Sequence, residues 1–272
     1  MKIYALCLIK NEDDVIKQSL LAASKWADKV FVYDNGSTDK TWDIVNEIAK
    51  TNDIIVPWRQ DTKHFKNNLF GDIFSGIREV AKNGDWFCYG FPADEFYLDD
   101  PRDFLSKVPK GYHVVKSQSI DYHLTFEDVE EFDFSNDAEF DREKVKYYDP
   151  QTYTERRFFK YRKGMEWPAG LVHPKHIGIT YPKKIRLRHY QHRSPKQIQL
   201  RLDTRRKLVE DGYKSFKHAS QADWKEKLRH RSELRKDNND GNWQIEGIRY
   251  DTAPNPFINF ARKIAHRIGI FP

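Results

Sequence analysis

The first 120 residues alternate short apolar runs with longer segments whose apolar residues recur at helical spacing. The apolar runs lie at residues 2–9, 30–33, 54–58, 86–91 and 112–120, and the helical segments lie at 13–27, 38–48 and 69–80. Strands that alternate with helices predict an α/β fold with a mostly parallel sheet flanked by helices. Ligands of such sheets bind at the carboxyl ends of the strands, so the residues after Ile9, Tyr33 and Phe91 are expected at one edge.

The later chain is less regular. Residues 121–153 are acidic and aromatic with little periodicity, so we expect an insertion or a mobile loop there. Residues 156–161 and 177–190 contain further strand candidates, whereas 195–210 and 222–235 have the composition of helices. These patterns indicate a second part of the chain that completes the domain and a helical C-terminal extension.

The net charge of +6 hides two oppositely charged regions. Residues 93–149 hold 16 acidic and seven basic side chains, whereas residues 183–236 hold 18 basic and six acidic ones. The basic region suggests contact with an anion, such as a nucleotide phosphate, nucleic acid or an acidic membrane face. The alternative is that these charges belong to solvated helix faces.

Composition excludes several classes of protein. With 39% hydrophobic and 14% aromatic residues, the chain is too aromatic for a disordered protein and too polar for an integral membrane protein. The apolar run at residues 3–9 is too short to span a bilayer, and no signal-peptide cleavage site follows it. Two cysteines, Cys7 and Cys88, exclude a disulfide framework and fit a reducing compartment, so we expect a cytoplasmic protein.

Three polar segments follow predicted strands. Residues 10–12 (Lys-Asn-Glu) follow the first strand, residues 34–41 (Asp-Asn-Gly-Ser-Thr-Asp-Lys-Thr) follow the second, and residues 93–96 (Ala-Asp-Glu-Phe) follow the fourth. Each segment alone is typical of a turn or a solvated loop. Together they place carboxylates where a divalent cation and a nucleotide diphosphate are able to bind.

In this order and spacing, the segments resemble family 2 glycosyltransferases, the inverting nucleotide-sugar enzymes with the GT-A fold. The resemblance is to the branch whose first strand ends in Lys-Asn-Glu, and it covers about the first hundred residues. It implies a Rossmann-like GT-A fold in which residues 1–120 bind the nucleotide-sugar. Residues 121–194 would form the acceptor and lid region of the same domain, and residues 195–272 a basic helical extension.

The resemblance also implies roles for individual residues. It assigns donor binding to Lys10, Asn11, Glu12, Asp34 and Asn35, with Asp34 on the nucleoside. It makes Asp94 the metal-binding carboxylate, for Mn²⁺ or Mg²⁺. The family usually has Asp-Ala-Asp-Glu at this point, whereas this chain has Pro92-Ala93-Asp94-Glu95, so Glu95 is a candidate for the missing ligand.

Later motifs extend the resemblance. Residues 167–173 (Trp-Pro-Ala-Gly-Leu-Val-His) resemble a Trp-x-Gly-x-Val-His element, which makes His173 a candidate metal ligand or diphosphate contact. Residues 188–195 resemble a His-Tyr…Arg-Ser-Pro segment, which makes Arg188, His189 and Arg193 candidates for binding the leaving diphosphate.

Inversion requires a general base at the acceptor hydroxyl. The sequence leaves two candidates open, Glu166 beside Trp167 and Asp121 at the end of the fifth strand. Trp167 and Tyr122 are candidates for stacking on an acceptor sugar, and core packing is the alternative for each.

Residues 256–272 form an amphipathic segment with an apolar stripe and a basic face. This pattern predicts either peripheral contact with the inner face of the cell membrane or a terminal helix docked on the domain.

The function that these residues predict is transfer of a sugar, from a UDP-sugar in the first instance, to a glycan or lipid-linked acceptor. Polysaccharide biosynthesis is the expected context, and no nucleic-acid partner is expected. The alternatives are a nucleic-acid-binding or membrane-binding module on an inactive nucleotide-binding scaffold, and a nucleotidyltransferase. The latter normally has a Gly-rich phosphate loop in its first turn, and residues 10–14 contain no glycine.

Overall fold

The computed structural model describes residues 1–62, 69–135, 138–210, 221–251 and 256–270. Its strands are β1 (Ile3–Ile9), β2 (Lys29–Asp34), β3 (Ile55–Gln60), β4 (Trp86–Phe91), β5 (Glu95–Tyr97), β6 (Val114–His123), β7 (Tyr147–Tyr148), β8 (Gln151–Lys160), β9 (Thr180–His189), β10 (Arg235–Lys236) and β11 (Gly247–Tyr250). Its α-helices are α1 (Ile16–Ala23), α2 (Thr41–Thr51), α3 (Leu69–Ile77), α4 (Pro101–Ser106), α5 (Phe126–Glu131), α6 (Pro195–Glu210) and α7 (Pro256–Arg267). Short 3₁₀ turns lie at Arg78–Val80, Arg142–Lys144, Trp224–Lys227 and Arg231–Glu233.

The chain divides into two compact units. Unit 1 comprises residues 1–119, 154–187 and 250–272, and unit 2 comprises residues 120–153 and 188–249. Strands β6, β8 and β9 each begin in one unit and end in the other.

Unit 1 is built on parallel strands. β1 pairs with β2 on one side and with β4 on the other, β3 pairs with β2, and all three pairings are parallel. The unit 1 part of β8 adds an antiparallel strand next to β4, where Cys88 pairs with Phe158. The predicted α/β fold, with mostly parallel strands flanked by helices, is confirmed.

The unit 1 sheet is buried on both faces, as parallel sheets usually are. All seven residues of β1 are buried. Because side chains alternate along a strand, Leu6 and Leu8 face the aromatic core beneath α3, whereas Cys7 faces the other side. Phe74 of α3 lies 5.1 Å from Phe87 between ring centroids, in an edge-to-face arrangement. The apolar period predicted from the sequence therefore corresponds to the buried face of α3.

Unit 2 has a smaller antiparallel arrangement. Its part of β6 pairs with β7, and β7 pairs with β10. The rings of Tyr122 and Tyr190 lie 4.6 Å apart between centroids, and Tyr148 is fully buried beside Tyr122. A capping box between Thr125 and Asp128 begins α5.

Two sequence predictions need correction in unit 2. Residues 121–153 were expected to form an insertion or a mobile loop, and the loop alternative is wrong, because their described part folds into the end of β6, α5, a 3₁₀ turn and β7. Residues 222–235 were expected to form a helix, but they form two 3₁₀ turns and the start of β10. Arg229 and Arg231 of this segment pair with Asp149 and Asp128, so tertiary ion pairs outweigh the local helix propensity.

The same ion pairs account for part of the charge asymmetry. Acidic residues of 120–153 and basic residues of 188–249 lie within one unit. Besides the pairs of Arg229 and Arg231, Arg249 contacts Asp121, and Arg188 contacts Asp237 at 3.0 Å. These basic side chains are neutralised within the protein, so an external anion is not needed to explain them.

Candidate functional site

Three polar segments reach the same edge of the unit 1 sheet. In the parallel register Ile9 pairs with Asp34, and Cys7 pairs with Phe91. The segments that follow β1, β2 and β4 therefore begin at the carboxyl edge, as predicted.

The first two of these segments are joined by hydrogen bonds. The Asn11 backbone N–H donates to Ser37 Oγ at 2.9 Å, and the Thr38 N–H donates to Asn11 Oδ1 at 2.8 Å. The Glu12 N–H donates to Thr41 Oγ1 at 2.8 Å. Asn11 adopts a positive φ of 54°, which asparagine tolerates better than most residues. Much of the polar character of both motifs therefore holds the two loops together.

The loop after β2 also begins α2. Asp39 Oδ1 accepts the Thr41 N–H at 2.9 Å, although Lys40 occupies the N-cap position and makes no side-chain cap. Gly36 has a φ of +76°, and a Cβ there would approach Thr62 Cγ2 to 2.9 Å. The loop conformation therefore requires glycine at this position.

Asp34 of this edge has a carboxylate oxygen that accepts no hydrogen bond from the described residues. Its side chain is fully buried, and Oδ1 accepts the Ser37 N–H at 2.7 Å. Oδ2 has no hydrogen-bond partner among the described residues. A buried carboxylate oxygen without a donor is costly, so such atoms usually mark a place where a ligand or water belongs. A nucleoside N–H or a ribose hydroxyl would supply the missing donor.

The segment after β4 contains a buried ion pair. Asp94 and Glu95 are each 2% exposed, and Arg157 Nη2 of β8 donates to Glu95 Oε1. Arg157 Nη1 also donates to the Gly90 carbonyl at 2.6 Å, and Nη2 contacts Glu155 at 2.9 Å. The predicted metal ligand Glu95 is thus engaged by an arginine.

The predicted metal set of Asp94, Glu95 and His173 does not form a cluster. Across the described ranges, no group of three or more His, Cys, Asp or Glu side chains is arranged to hold a metal ion. With Glu95 paired to Arg157, Asp94 is the candidate carboxylate that remains. These residues do not by themselves fit a resident Mn²⁺ or Mg²⁺ site.

A cavity of about 310 Å³ opens beside the end of β4 in unit 1. Its lining includes Phe70, Tyr89, Gly90, Arg157, Val172 and His173. His173 Nδ1 lies 2.9 Å from the Pro174 carbonyl, which only accepts, so Nδ1 carries the proton and Nε2 is an acceptor. Burial lowers the pKa of His173, which favours the neutral imidazole. A neutral imidazole accepts hydrogen bonds from sugar hydroxyls, whereas a protonated one would pair with phosphate.

The predicted acceptor residue Trp167 and the candidate base Glu166 are not part of this lining. Trp167 is 5% exposed, packs edge-on against Tyr89 at 5.4 Å, and donates its Nε1–H to the Leu171 carbonyl at 2.9 Å. A Cβ on Gly71 would approach the Trp167 ring to 3.0 Å. These contacts give Trp167 a packing role. Glu166, the first candidate base, has an exposed side chain.

The other candidate base, Asp121, belongs to a hydrogen-bonded cluster in unit 2. Asp121 Oδ1 lies 2.8 Å from His189 Nδ1, and Arg249 Nη2 lies 3.1 Å from Asp121 Oδ2. The Tyr153 hydroxyl lies 3.0 Å from the same His189 nitrogen. The structure therefore brings together two predicted residues, Asp121 and His189, in an arrangement that is able to accept a proton.

The remaining predicted residues of unit 2 are buried or half-buried within it. The Tyr122 hydroxyl donates to Asp237 and accepts from Arg188 Nε at 3.1 Å. Burial raises the pKa of Tyr122, so the phenol stays protonated. Arg193 is 1% exposed and donates to the Tyr190 carbonyl at 3.0 Å. The contacts of Tyr122, Arg188 and Arg193 are thus largely internal.

Sequence reasoning missed Arg157 as a site residue. It lies in the β8 sequence Arg-Arg-Phe-Phe at residues 156–159, where a charged residue precedes a buried apolar pair. A charge next to such a pair is a signal for a buried ion pair, but its partner is 62 residues away, so the sequence does not identify it.

Comparison with known proteins finds only distant structural neighbours. No protein-family model matches the chain. No curated protein matches it by sequence. Among solved structures, a mannosyltransferase from Pyrobaculum calidifontis in complex with GDP-Man and Mn²⁺ is 16% identical with a TM-score of 0.41, over 78% of this chain and 65% of that one. Glucosyl-3-phosphoglycerate synthase from Mycobacterium tuberculosis, in complex with phosphoglyceric acid, is 17% identical with a TM-score of 0.29, over 43% of this chain and 44% of that one. The chain therefore spans less than two thirds of either neighbour.

Proposed function

We propose that the chain is a GT-A glycosyltransferase that binds a nucleotide-sugar at the carboxyl edge of β4, β1 and β2. It would transfer the sugar, with inversion, to a glycan or lipid-linked acceptor. The observation that carries the proposal is the buried Asp34 carboxylate, whose Oδ2 has no hydrogen-bond partner within the described residues. Asp34 ends β2 and begins one of the two hydrogen-bonded loops, at the edge where parallel sheets bind nucleotides.

Donor binding follows from the contacts of this edge. Asp34 Oδ2 would accept a hydrogen bond from the nucleoside, and Oδ1 would keep its bond to the Ser37 N–H. The sugar would lie toward the cavity of His173 and Tyr89. Arg157, already bonded to Glu95 and to the Gly90 carbonyl, would hold the loop after β4 in place.

Transfer requires one bond to form and one to break. The acceptor oxygen attacks the anomeric carbon, the bond from that carbon to the diphosphate breaks, and the acceptor proton leaves to a base. Asp121 and Glu166 are the two candidate bases, and Asp121 is hydrogen-bonded to His189 and Arg249 within unit 2. Glu166 has an exposed side chain and would act only if substrate binding buried it.

A divalent cation that arrived with the donor would offset the negative charge of its diphosphate, and the sequence resemblance assigns the contact with this chain to Asp94. Because the described residues offer no three-ligand cluster, we expect Mn²⁺ alone to bind weakly. Any dependence on metal should appear only when a diphosphate is present.

The test is a thermal-shift panel of UDP-sugars and GDP-mannose, with and without Mn²⁺. A donor at about 100 times its Kd stabilises the protein by about 2.7 kcal/mol, which is roughly 5–10 °C for a chain of this size. We expect Asp34→Asn to weaken donor binding by about 10- to 100-fold, since a charge-assisted hydrogen bond is lost while the Ser37 contact is kept.

The matched control is Asp53→Asn, which changes an aspartate of unit 1 that is 95% exposed. This variant should bind donors like the wild type. The proposal fails if no nucleotide-sugar shifts the melting temperature, or if Asp34→Asn binds as tightly as Asp53→Asn.

A further inference from the structure

Helix α7 is attached to unit 1 by one side and turns its apolar side outward. The His266 ring lies 4.7 Å from the His113 ring between centroids, and Lys263 Nζ lies 5.8 Å from the Tyr112 ring. Residues four apart share a helix face, so Phe260, Ile264 and Ile268 form a stripe on a different side from His266. Those three side chains are 64%, 45% and 63% exposed. An ordinary docked helix has the opposite polarity.

This stripe is the main concentration of exposed apolar side chains within the described part of the chain. Phe257, Ile258 and Ile270 are also exposed, so six large apolar side chains are exposed within residues 257–270. Others, such as Leu21 of α1, occur singly or in pairs along the chain. Exposed apolar patches of this kind mark interaction surfaces, whereas isolated apolar residues need no explanation.

The charges beside the stripe are all positive. Residues 252–272 contain no Asp or Glu, and α7 holds Arg262, Lys263 and Arg267. Lys263 and Arg267, four residues apart, lie between the attached side and the apolar stripe. There they line, with Tyr112, His113 and His266, a cavity of about 450 Å³. Cations next to an apolar stripe complement the phosphates and the acyl boundary of a lipid surface.

We propose that α7 is a peripheral membrane-docking helix that binds an anionic bilayer through Phe260, Ile264 and Ile268. The helix lies in the plane of the interface, its apolar stripe enters the headgroup–acyl boundary, and Lys263 and Arg267 contact lipid phosphates. A second copy of the chain is a poorer occupant, because pairing two α7 stripes would place the four like charges of Lys263 and Arg267 along one seam.

The protein offers a selective way to report this contact. Cys7 and Cys88 are fully buried, and burial raises the pKa of the Cys88 thiol to about 12, so neither reacts readily with a maleimide. Ala261→Cys introduces an exposed thiol on α7 for an NBD fluorophore. We expect NBD emission to increase and shift to the blue with phosphatidylcholine/phosphatidylglycerol vesicles, and to change little with phosphatidylcholine alone.

Flotation of the unlabelled full chain with the same vesicles gives the affinity. Two cations, Lys263 and Arg267, at about 1 kcal/mol each predict roughly 30-fold tighter binding to anionic than to neutral vesicles. Lys263→Gln/Arg267→Gln should lose most of that preference by the same arithmetic. Phe260→Glu/Ile264→Glu should abolish flotation, whereas the control Leu21→Glu, which adds a glutamate to α1, should float like the wild type.

Several outcomes would overturn the proposal. These are an unchanged NBD spectrum on anionic vesicles, flotation that Phe260→Glu/Ile264→Glu does not reduce, and a dimer in sedimentation velocity that this double variant dissociates without any vesicle binding. Circular dichroism and melting temperature of each variant show whether a lost interaction reflects lost folding. The donor thermal shift is measured on the same variants, so failure of membrane binding is distinguishable from failure of the proposed transferase function.

Discussion

Replacing Arg157 with methionine should destabilise unit 1 strongly. Arg157 is 6% exposed and Glu95 2% exposed, so the substitution leaves a buried carboxylate without its cation. The Gly90 carbonyl also loses the donor that lies 2.6 Å away. Removal of one partner from a buried ion pair costs about 3–5 kcal/mol, a large part of the roughly 5–15 kcal/mol that holds a protein folded.

The double variant Arg157→Met/Glu95→Gln separates the ion pair from simple packing. The double variant contains no buried carboxylate without a cation at this position. It should therefore be at least about 2 kcal/mol more stable than Arg157→Met alone. The control is Arg186→Met, which removes an arginine 46% exposed that contacts Asp99 at 2.7 Å. An exposed pair of this kind is worth about 0–1 kcal/mol.

The assay is urea unfolding followed by circular dichroism and tryptophan fluorescence at neutral pH. If Arg157→Met costs no more than Arg186→Met, or if the double variant is no more stable than Arg157→Met, the buried pair is not the stabilising contact. The same variants address the metal question. If Glu95 pairs with Arg157 and does not bind a metal, Glu95→Gln should leave any Mn²⁺-dependent donor binding largely intact. Asp94→Ala should weaken that binding.

Two further predictions concern stability against pH. Lys116 Nζ donates a hydrogen bond to Asp251 Oδ1 at 2.8 Å, and this contact is the main cause that lowers the pKa of Asp251 to about 2. The stabilisation that this carboxylate contributes is therefore present above its ordinary pKa of 3.8 and is lost as the pH falls from about 4 to 2. Asp251→Asn should lower the free energy of unfolding by about 1–3 kcal/mol at pH 7. It should also make the urea-unfolding midpoint less dependent on pH between about 4 and 2. In unit 2, burial lowers the pKa of His123 to about 4. The free energy of unfolding should therefore be highest above pH 6.5, the ordinary pKa of histidine, and should decrease as the pH falls to 4, by at most about 3 kcal/mol. His123→Phe should reduce the slope of midpoint against pH over that range, and an unchanged slope would show that other groups cause it.

The unit 1 sheet was predictable because its signals are local. Each of these signals lies within a single segment of the chain and indicates which of its residues are buried. They are the apolar runs of β1, β2 and β4 and the helical period of α3. The common edge of the three polar segments then follows from parallel pairing alone. The contents of unit 2 were not predictable in this way. Its tyrosine core and its arginine–carboxylate pairs join residues about 50 to 130 positions apart, for which the single sequence contains no periodic signal.

The same limit applies to individual site residues. The Asp34 motif was recognisable as a unit, but Asn11, Ser37, Thr38 and Thr41 proved to bond to one another across the two loops. The residue type alone does not distinguish a polar side chain that binds a ligand from one that stabilises a loop. Hydrogen-bond accounting does so, because each buried acceptor is either satisfied or available.

That accounting also determines how the motif should be tested. Ser37 and Thr41 accept backbone N–H groups, so alanine at either position would disturb the loop and lower donor binding indirectly. Loss of binding in those variants therefore would not identify a ligand contact. Asp34→Asn is more informative, because the amide oxygen is able to keep the Ser37 bond while the charge and the Oδ2 acceptor are removed. A specific effect of that variant on donor affinity, with an unchanged melting temperature of the free protein, would assign Asp34 to the ligand.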